Sequence, residues 1–259
     1  MIVIRPKKRL GQHFLKDQNI ARKIVDKLSA TVPDILEVGP GMGVLTRFLL
    51  QRDNINLYAV EIDRESVEYL RELFPSLSDK LYHADFLTWD ASSLPEKFSV
   101  IGNFPYNISS QIFFKILDMK DRIPEVVCML QKEVADRINA SPGSKSYGIL
   151  SVFTKAFFNI EYLFTVPPDV FLPPPKVQSA VIRLKRNSLR HLNCNEKLFF
   201  KTVKKSFGQR RKMLRNSLQE HGIEIPQKFA EKRPEQLSVD DFMELTEIIE
   251  HQKPLDYAI

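Results

Sequence analysis

Asp34-Ile-Leu-Glu-Val-Gly-Pro-Gly-Met-Gly-Val-Leu-Thr46 begins as an apolar run, passes three glycines at alternate positions, and resumes an apolar pattern at helical spacing. It reads as a strand, a tight turn and the start of a helix. Gly39, Gly41 and Gly43 allow backbone conformations closed to other residues and let a ligand approach the main chain. The helix start beyond them offers unpaired N–H groups. Such a turn suits several nucleotide-like ligands, and by itself it could be only a turn.

The same alternation extends outward. Residues 35–38, 57–62, 81–83, 99–102 and 126–130 read as short buried strands. Residues 44–51, 64–73 and 109–117 lie between them with helical period, and 18–28 reads as an earlier amphipathic helix. A strand-then-helix rhythm predicts an α/β fold, a parallel sheet with helices on both faces. Residues 159–166 and 177–185 follow as strand-like segments, expected to close one sheet edge as an antiparallel pair. Pro167–Pro168 and Pro173–Pro175 cannot sit in a helix interior or a central strand, so they read as rigid loops flanking Phe171. After Asn187 the strand signal ends and helical patterns take over at 196–207, 210–221 and 239–250. The expected organisation is therefore a catalytic domain over 1–187 and a small all-helical domain over 188–259.

Two carboxylates sharpen the reading of the glycine turn. Glu61 ends the second strand, 22 residues after Gly39, where a carboxylate can accept from both hydroxyls of a ribose. Asp85 follows the third strand and could accept from an adenine amine, or could be a turn residue. The turn, Glu61 and Asp85 occupy successive strand ends, the edge at which open α/β sheets bind ligands.

Asn103-Phe-Pro-Tyr106, directly after the strand at 99–102, carries the most specific chemistry. The N6 amine of adenine is a poor nucleophile, because its lone pair is delocalised into the ring. It reacts with a methyl donor only when held in line and turned towards tetrahedral geometry. An Asn side-chain carbonyl can accept one N6–H and the Phe104 carbonyl the other. Pro105 stiffens the loop and keeps Phe104 extended. Tyr106 offers a flat face for the base. Positioning and hydrogen-bond polarisation do the work, without a strong general base. The bland alternative is an Asn-x-Pro turn after a strand.

At these residues the chain resembles the ribosomal RNA adenine N6,N6-dimethyltransferases, in particular their bacterial small-subunit branch. The likeness runs over nearly the whole length. Lys-Arg-Leu-Gly-Gln-His-Phe-Leu at 8–15 is similar to the family's N-terminal motif, 37–46 to its cofactor loop, and Gly-Asn-Phe-Pro-Tyr-Asn-Ile-Ser at 102–109 to its catalytic loop. Leu-Gln-Lys-Glu-Val at 130–134, Phe-Leu-Pro-Pro-Pro-Lys-Val at 171–177 and Phe-Gly-Gln-Arg-Arg-Lys at 207–212 also match. The resemblance implies a Rossmann-like methyltransferase sheet of seven mostly parallel strands and a C-terminal helical domain. It implies S-adenosylmethionine bound at the positions of His13, Leu15, Gly39, Glu61, Asp85 and Asn103, with Gly41 in the turn. It implies double methylation of two adjacent adenosines in a hairpin loop near the 3′ end of small-subunit rRNA. Phe171 falls where the family places a second aromatic against the target base, opposite Tyr106. Two positions depart from the pattern: His13 stands where Asn is common, and Phe104 where Leu is usual. A His can still donate to a carboxylate, and only the backbone carbonyl is needed at 104.

The rest of the chain bounds these expectations. In 259 residues, 43% hydrophobic and 27% charged, no apolar stretch could cross a bilayer and no apolar core follows the basic N-terminus, as a secretory signal would require. Cys128 and Cys194 match no metal or redox spacing, and His13, His83, His191, His221 and His251 never fall at ligand spacing. No metal is expected, and the reading is a cytoplasmic monomer with reduced thiols. A net charge of +6 suggests an anionic partner. Arg5, Lys7, Lys8 and Arg9 form one basic cluster. From Lys197 to Arg215 no acidic residue interrupts Lys201, Lys204, Lys205, Arg210, Arg211 and Lys212. That run is either a solvated helix face or a phosphate-contacting surface for rRNA or the immature small subunit. Three other functions compete: a macrolide-resistance type enzyme acting on large-subunit rRNA, an assembly factor for which methylation is secondary, and a nicotinamide-dependent oxidoreductase. Hydride transfer has no use for the Asn-Phe-Pro-Tyr loop.

Overall fold

The computed structural model describes residues 6–29, 31–189, 191–218 and 223–252. Arg5 and His221 lie outside them. In chain order the elements are β1 (Phe14–Leu15), α1 (Gln18–Val25), β2 (Asp34–Val38), α2 (Val44–Leu49), β3 (Asn56–Glu61), α3 (Arg64–Leu73), β4 (Leu81–His83), β5 (Ser99–Asn103), α4 (Ser109–Asp118), β6 (Glu125–Gln131) and α5 (Lys132–Asn139). They continue with α6 (Ile149–Phe157), β7 (Phe158–Val166), β8 (Phe171–Leu172), β9 (Ser179–Arg186), α7 (Glu196–Gly208), α8 (Leu214–Ser217), α9 (Gln227–Ala230) and α10 (Val239–Gln252).

The described residues form a seven-stranded sheet in the order β4-β3-β2-β5-β6-β9-β7. The five strands from β4 to β6 are parallel, and β9 runs antiparallel to β6. This is the Rossmann-like architecture expected. Strands covered on both faces must be apolar on both, so Ile35, Leu36, Val38, Val126, Val127, Met129 and Leu130 are all buried. Helices bury one stripe each: α1 turns Ala21, Ile24 and Val25 inward, and the Asp17 carboxylate caps it by accepting from the Asn19 and Ile20 amides. Chain order reverses between β2, followed outward by β3, and β5 on its other side. That switch point opens a crevice at the carboxyl ends of the strands.

The chain divides into two compact units. Unit 1 holds residues 1–135 and 159–186, and unit 2 holds 136–158 and 187–259. The second stretch of unit 2 begins at Asn187, and the stretch 136–158, which the expected division into 1–187 and 188–259 did not include, belongs to the same unit. Packing explains the difference. The rings of Phe153 and Phe157 on α6 lie 4.4 and 6.2 Å from that of Phe200 on α7, and Leu150 to Thr154, Ala156 and Phe157 are buried.

Local departures have equally local causes. The helix expected from 210 to 221 runs partly outside the described residues; among those described, only Leu214–Ser217 is helical, because the Lys212 amide turns back to the Gln209 carbonyl at 2.8 Å. The turn brings Leu214, Ser217 and Leu218 into the unit 2 core. Pro168–Val170 is a 3-10 turn, with Pro168 in its first turn, where a missing N–H costs nothing.

Candidate active site

A cavity of about 240 Å³ lies in the crevice. Its walls include the N-terminal segment Arg9 to Leu15, the turn from Glu37 to Met42, the end of β3 with Ile62, the loop from Ala84 to Leu87, and Asn103 to Ile108. His13, Leu15, Gly39, Gly41, Glu61, Asp85, Asn103, Phe104, Pro105 and Tyr106 therefore meet at one place.

The glycine turn is open towards this cavity. Gly39, Gly41 and Gly43 have φ of 68°, 56° and 73°, in the left-handed region that side chains disfavour. A Cβ on Gly39 would meet nothing within 4 Å, whereas one on Gly41 would lie 3.0 Å from the Phe14 ring. Glu61 braces the turn: one carboxylate oxygen accepts from the Gly41 amide at 3.0 Å and the other from the Asp63 amide at 2.9 Å. Burial pushes the Glu61 carboxyl upward, against these hydrogen bonds. Each oxygen has a second acceptor position, so the pair retains capacity for two hydroxyls. Asp85 is a turn residue whose Oδ1 accepts from the Leu87 amide at 2.9 Å, and it lines the cavity.

Glu37 lies inside the motif, yet sequence reasoning gave it no role of its own. It is 1% exposed and lines the cavity, and its carboxylate accepts from Thr46 Oγ1 at 2.6 Å. Burial pushes its carboxyl up to about 8. A lone acidic residue inside an apolar strand next to a glycine turn is the signal that could have marked it.

The Asn-Phe-Pro-Tyr loop is fixed from below. A Cβ on Gly102 would lie 2.5 Å from the Val38 carbonyl oxygen, so β2 and β5 close up only because that position is glycine. The Phe104 ring is buried edge-on to Phe113 at 5.9 Å, and its amide donates to the Met129 carbonyl at 2.9 Å. Asn103 Nδ2 donates to the His13 carbonyl at 3.0 Å. A carbonyl can only accept, so the amide must present its nitrogen there, which leaves Oδ1 as an acceptor on the other side. The Tyr106 ring stacks on the His13 ring with centroids 5.1 Å apart and planes inclined by 28°. His13 Nδ1 lies 2.8 Å from the Pro173 carbonyl oxygen, and the Tyr106 hydroxyl is hydrogen-bonded to Ser179 Oγ.

Two expected residues are placed otherwise. Phe171 is 1% exposed and belongs to the core with Leu15 and Val166, so it does not face Tyr106 across the cavity. β8 pairs with β1 through Phe14↔Leu172 and Leu15↔Phe171. Successive side chains of a strand point to opposite faces, and Leu172 is the one turned out, 55% exposed. Arg210 is engaged within unit 2: its Nη2 donates to the Lys145 carbonyl at 2.6 Å and its Nε lies 3.5 Å from Glu235. It ties down the loop before α6, with its side chain 39% exposed. Lys204, Arg211 and Lys212 are exposed and Lys205 is half-buried.

Known proteins resemble the chain in sequence and fold. The model of a family described as ribosomal RNA adenine dimethylase matches residues 3–251. A protein of Cytophaga hutchinsonii named ribosomal RNA small subunit methyltransferase A is 54% identical over 252 residues, covering 95% of this chain and 98% of that one. One of the same name from Parabacteroides distasonis is 56% identical over 253 residues, covering 95% and 94%. Among solved structures, a dimethyladenosine transferase from Plasmodium falciparum superposes with a TM-score of 0.76 at 24% identity, over 90% of this chain and 96% of that one. The 23S rRNA methyltransferase ErmE superposes with a TM-score of 0.63 at 28% identity, over 92% and 99%. A family match over almost every residue, on a sheet whose strand ends gather the glycine turn, Glu61, Asp85 and the Asn-Phe-Pro-Tyr loop, places the chain in the ribosomal RNA adenine dimethylase family.

Proposed function

We propose that the chain dimethylates N6 of two adjacent adenosines in a hairpin loop near the 3′ end of small-subunit rRNA, with S-adenosylmethionine as donor, during cytoplasmic assembly of the small subunit. The observation that carries this reading is the Asn103 amide, oriented by the His13 carbonyl so that Oδ1 remains an acceptor beside the Tyr106 ring. Relatives named for the small subunit are 54% and 56% identical, against 28% for the 23S rRNA enzyme, which favours the small-subunit substrate.

The residues present fit the donor. Glu61 has acceptor capacity for a ribose, Asp85 Oδ2 for an adenine amine, and Gly39 leaves open space where a side chain would intrude. Met42 and Ile62 line the cavity while 37% and 47% exposed, an apolar surface that a purine can cover. When bound, S-adenosylmethionine supplies an electrophilic methyl group on a sulfonium. The chain's task is then to present the nucleophile. A loop adenosine leaves its stack at a cost of a few kcal/mol, and Tyr106 stacks it for about 1–3 kcal/mol. Asn103 Oδ1 and the Phe104 carbonyl accept the two N6 hydrogens, which turns the nitrogen lone pair towards the methyl. The proton leaves after transfer, so no buried base is needed. The exposed Lys204, Arg211 and Lys212 of unit 2, with the half-buried Lys205, hold phosphates and give affinity without base specificity. No helix among the described residues is long and apolar enough to cross a membrane, and the chain is taken to act as a monomer.

The test is transfer of labelled methyl from S-adenosylmethionine to unmethylated small subunits, with mass analysis of the nucleosides. N6,N6-dimethyladenosine near the 3′ end is the expected product. Transfer to large-subunit RNA alone would move the substrate assignment. Tight RNA binding with no transfer to either would leave an assembly role in its place.

A further inference from the structure

Ser179 opens β9 and is fully buried. Its main chain has little freedom: it stands opposite Gln131 in the β6–β9 ladder, and the preceding Gln178 carbonyl accepts from the Lys132 amide at 2.9 Å. From this rigid place its hydroxyl bonds the far end of the Tyr106 side chain. The near end of that residue is held too, because Ser109 Oγ donates to the Tyr106 carbonyl at 3.3 Å. The His13 ring, set by the Pro173 carbonyl, lies against the aromatic face.

We propose that Ser179 is a positioning residue for methyl transfer: it anchors the Tyr106 hydroxyl so that the ring presents one fixed stacking surface to the target base. The proposal rests on the reading of Tyr106 as the base platform. A phenol ring swings about two side-chain bonds, and a platform that swings spreads the N6 position over many orientations. Serine suits the task because it can donate or accept and adds a hydroxyl, not a charge, to a buried site. For space alone, alanine would fill the start of β9 equally well. The second transfer should feel the loss more than the first. Its nitrogen already carries a methyl group that must be turned aside, so fewer orientations are productive.

The experiment compares Ser179→Ala, Tyr106→Phe and the double variant in single-turnover transfer to unmethylated small subunits, with cofactor affinity measured by calorimetry. Each single variant removes the same bond. Each should slow transfer roughly tenfold and raise the share of N6-monomethyladenosine, with cofactor affinity unchanged. The double variant should be no slower than either single one. A wild-type rate in Ser179→Ala overturns the proposal, as does a double variant slowed by the product of the two effects. So does a parallel loss of cofactor affinity and thermal midpoint, which would make Ser179 merely structural. A second readout needs no chemistry: 2-aminopurine at the target position of the hairpin RNA, quenched when it stacks on Tyr106. Quenching by the unsubstituted chain and its loss in Ser179→Ala support the tether; equal quenching in both overturns it. Absence of quenching with the unsubstituted chain removes the base platform itself, and the tether with it.

Discussion

Asn103 illustrates how one neighbour decides the chemistry of a side chain. Its amide nitrogen is taken by the His13 carbonyl, so its oxygen is the end left as an acceptor, which the proposed role uses. Asn103→Ala should lower single-turnover transfer by about 10²–10³, the usual cost of losing a preorganised polar contact to the transition state, with RNA and cofactor affinities retained. Asn103→Asp should fare no better, since a carboxylate has no N–H for His13. Parallel loss of rate and binding would indicate misfolding instead. Glu37 offers a second test. With its carboxyl pushed up to about 8 by burial, it holds a proton at neutral pH. A cationic cofactor in the same cavity favours the carboxylate, so binding at pH 7 should release a proton that Glu37→Gln does not release. Calorimetry in two buffers of different ionisation enthalpy reads this directly. The sign for folding follows from the raised value: stability from the neutral carboxyl is full below the ordinary 4.5 and is lost as pH rises towards 8. Glu37→Gln should therefore raise the thermal midpoint at pH 8 and leave it unchanged at pH 4.

Among the elements, the N-terminal segment does more than its short pairing suggests. Lys7 Nζ contacts Asp63 Oδ1 at 2.5 Å and Glu65 Oε1 at 3.0 Å, and Gln12 Nε2 donates to Asp63 Oδ2 at 3.3 Å. Gly11 leaves no room for a Cβ beside the Asn107 amide, and the Phe14 ring covers Gly41. Burial would raise the Asp63 carboxyl, but Lys7 and Gln12 hold it below the ordinary range. The clasp is thus intact above that range and weakens as pH falls through the lowered value. Asp63→Asn should accelerate cofactor dissociation several-fold with little effect on the rate of methyl transfer at saturation. An unchanged dissociation rate in stopped flow would separate the clasp from cofactor retention.

The parallel strands were legible because burial on both faces makes them continuous apolar runs, and the candidate site was legible as a cavity because many residues lining it fall at strand ends. Three features were hidden for physical reasons. α6, Ile-Leu-Ser-Val-Phe-Thr-Lys-Ala-Phe, is buried at seven of its nine positions, so it is too apolar overall to read as a surface helix, and its branched residues mimic a strand. The β1–β8 ribbon is two residues long on each side, too short to show a period, yet its register decides that Phe171 points inward. Gln209 to Met213 are all good helix formers, which hides the turn made by Lys212 and Gln209.

For the whole molecule, the basic run of unit 2 includes exposed charges (Lys204, Arg211 and Lys212) and one, Arg210, bonded within the unit. Reversing Lys204, Arg211 and Lys212 should weaken RNA binding and reduce the salt slope by up to about 3, roughly one for each phosphate no longer neutralised. Arg210→Ala should change the slope little and lower the thermal midpoint, because its guanidinium holds the Lys145 carbonyl. An unchanged slope in the triple variant would remove this surface from the RNA interface.

Unit 2 is built from two separated stretches, with α5 residues and α6 made early and α7 to α10 made last. During synthesis, the rings of Phe153 and Phe157 emerge well before Phe199 and Phe200 exist to cover them. The nascent chain must therefore carry a sticky, half-made core while the intervening strands β7 to β9 are translated. A chain cut near residue 187 would keep that exposed core permanently, and a fragment from 188 onward would lack the helix its own aromatic residues pack against. The two halves suggested by the linear sequence are thus poor candidates for separate expression, and co-expressed fragments should become soluble only when both are present.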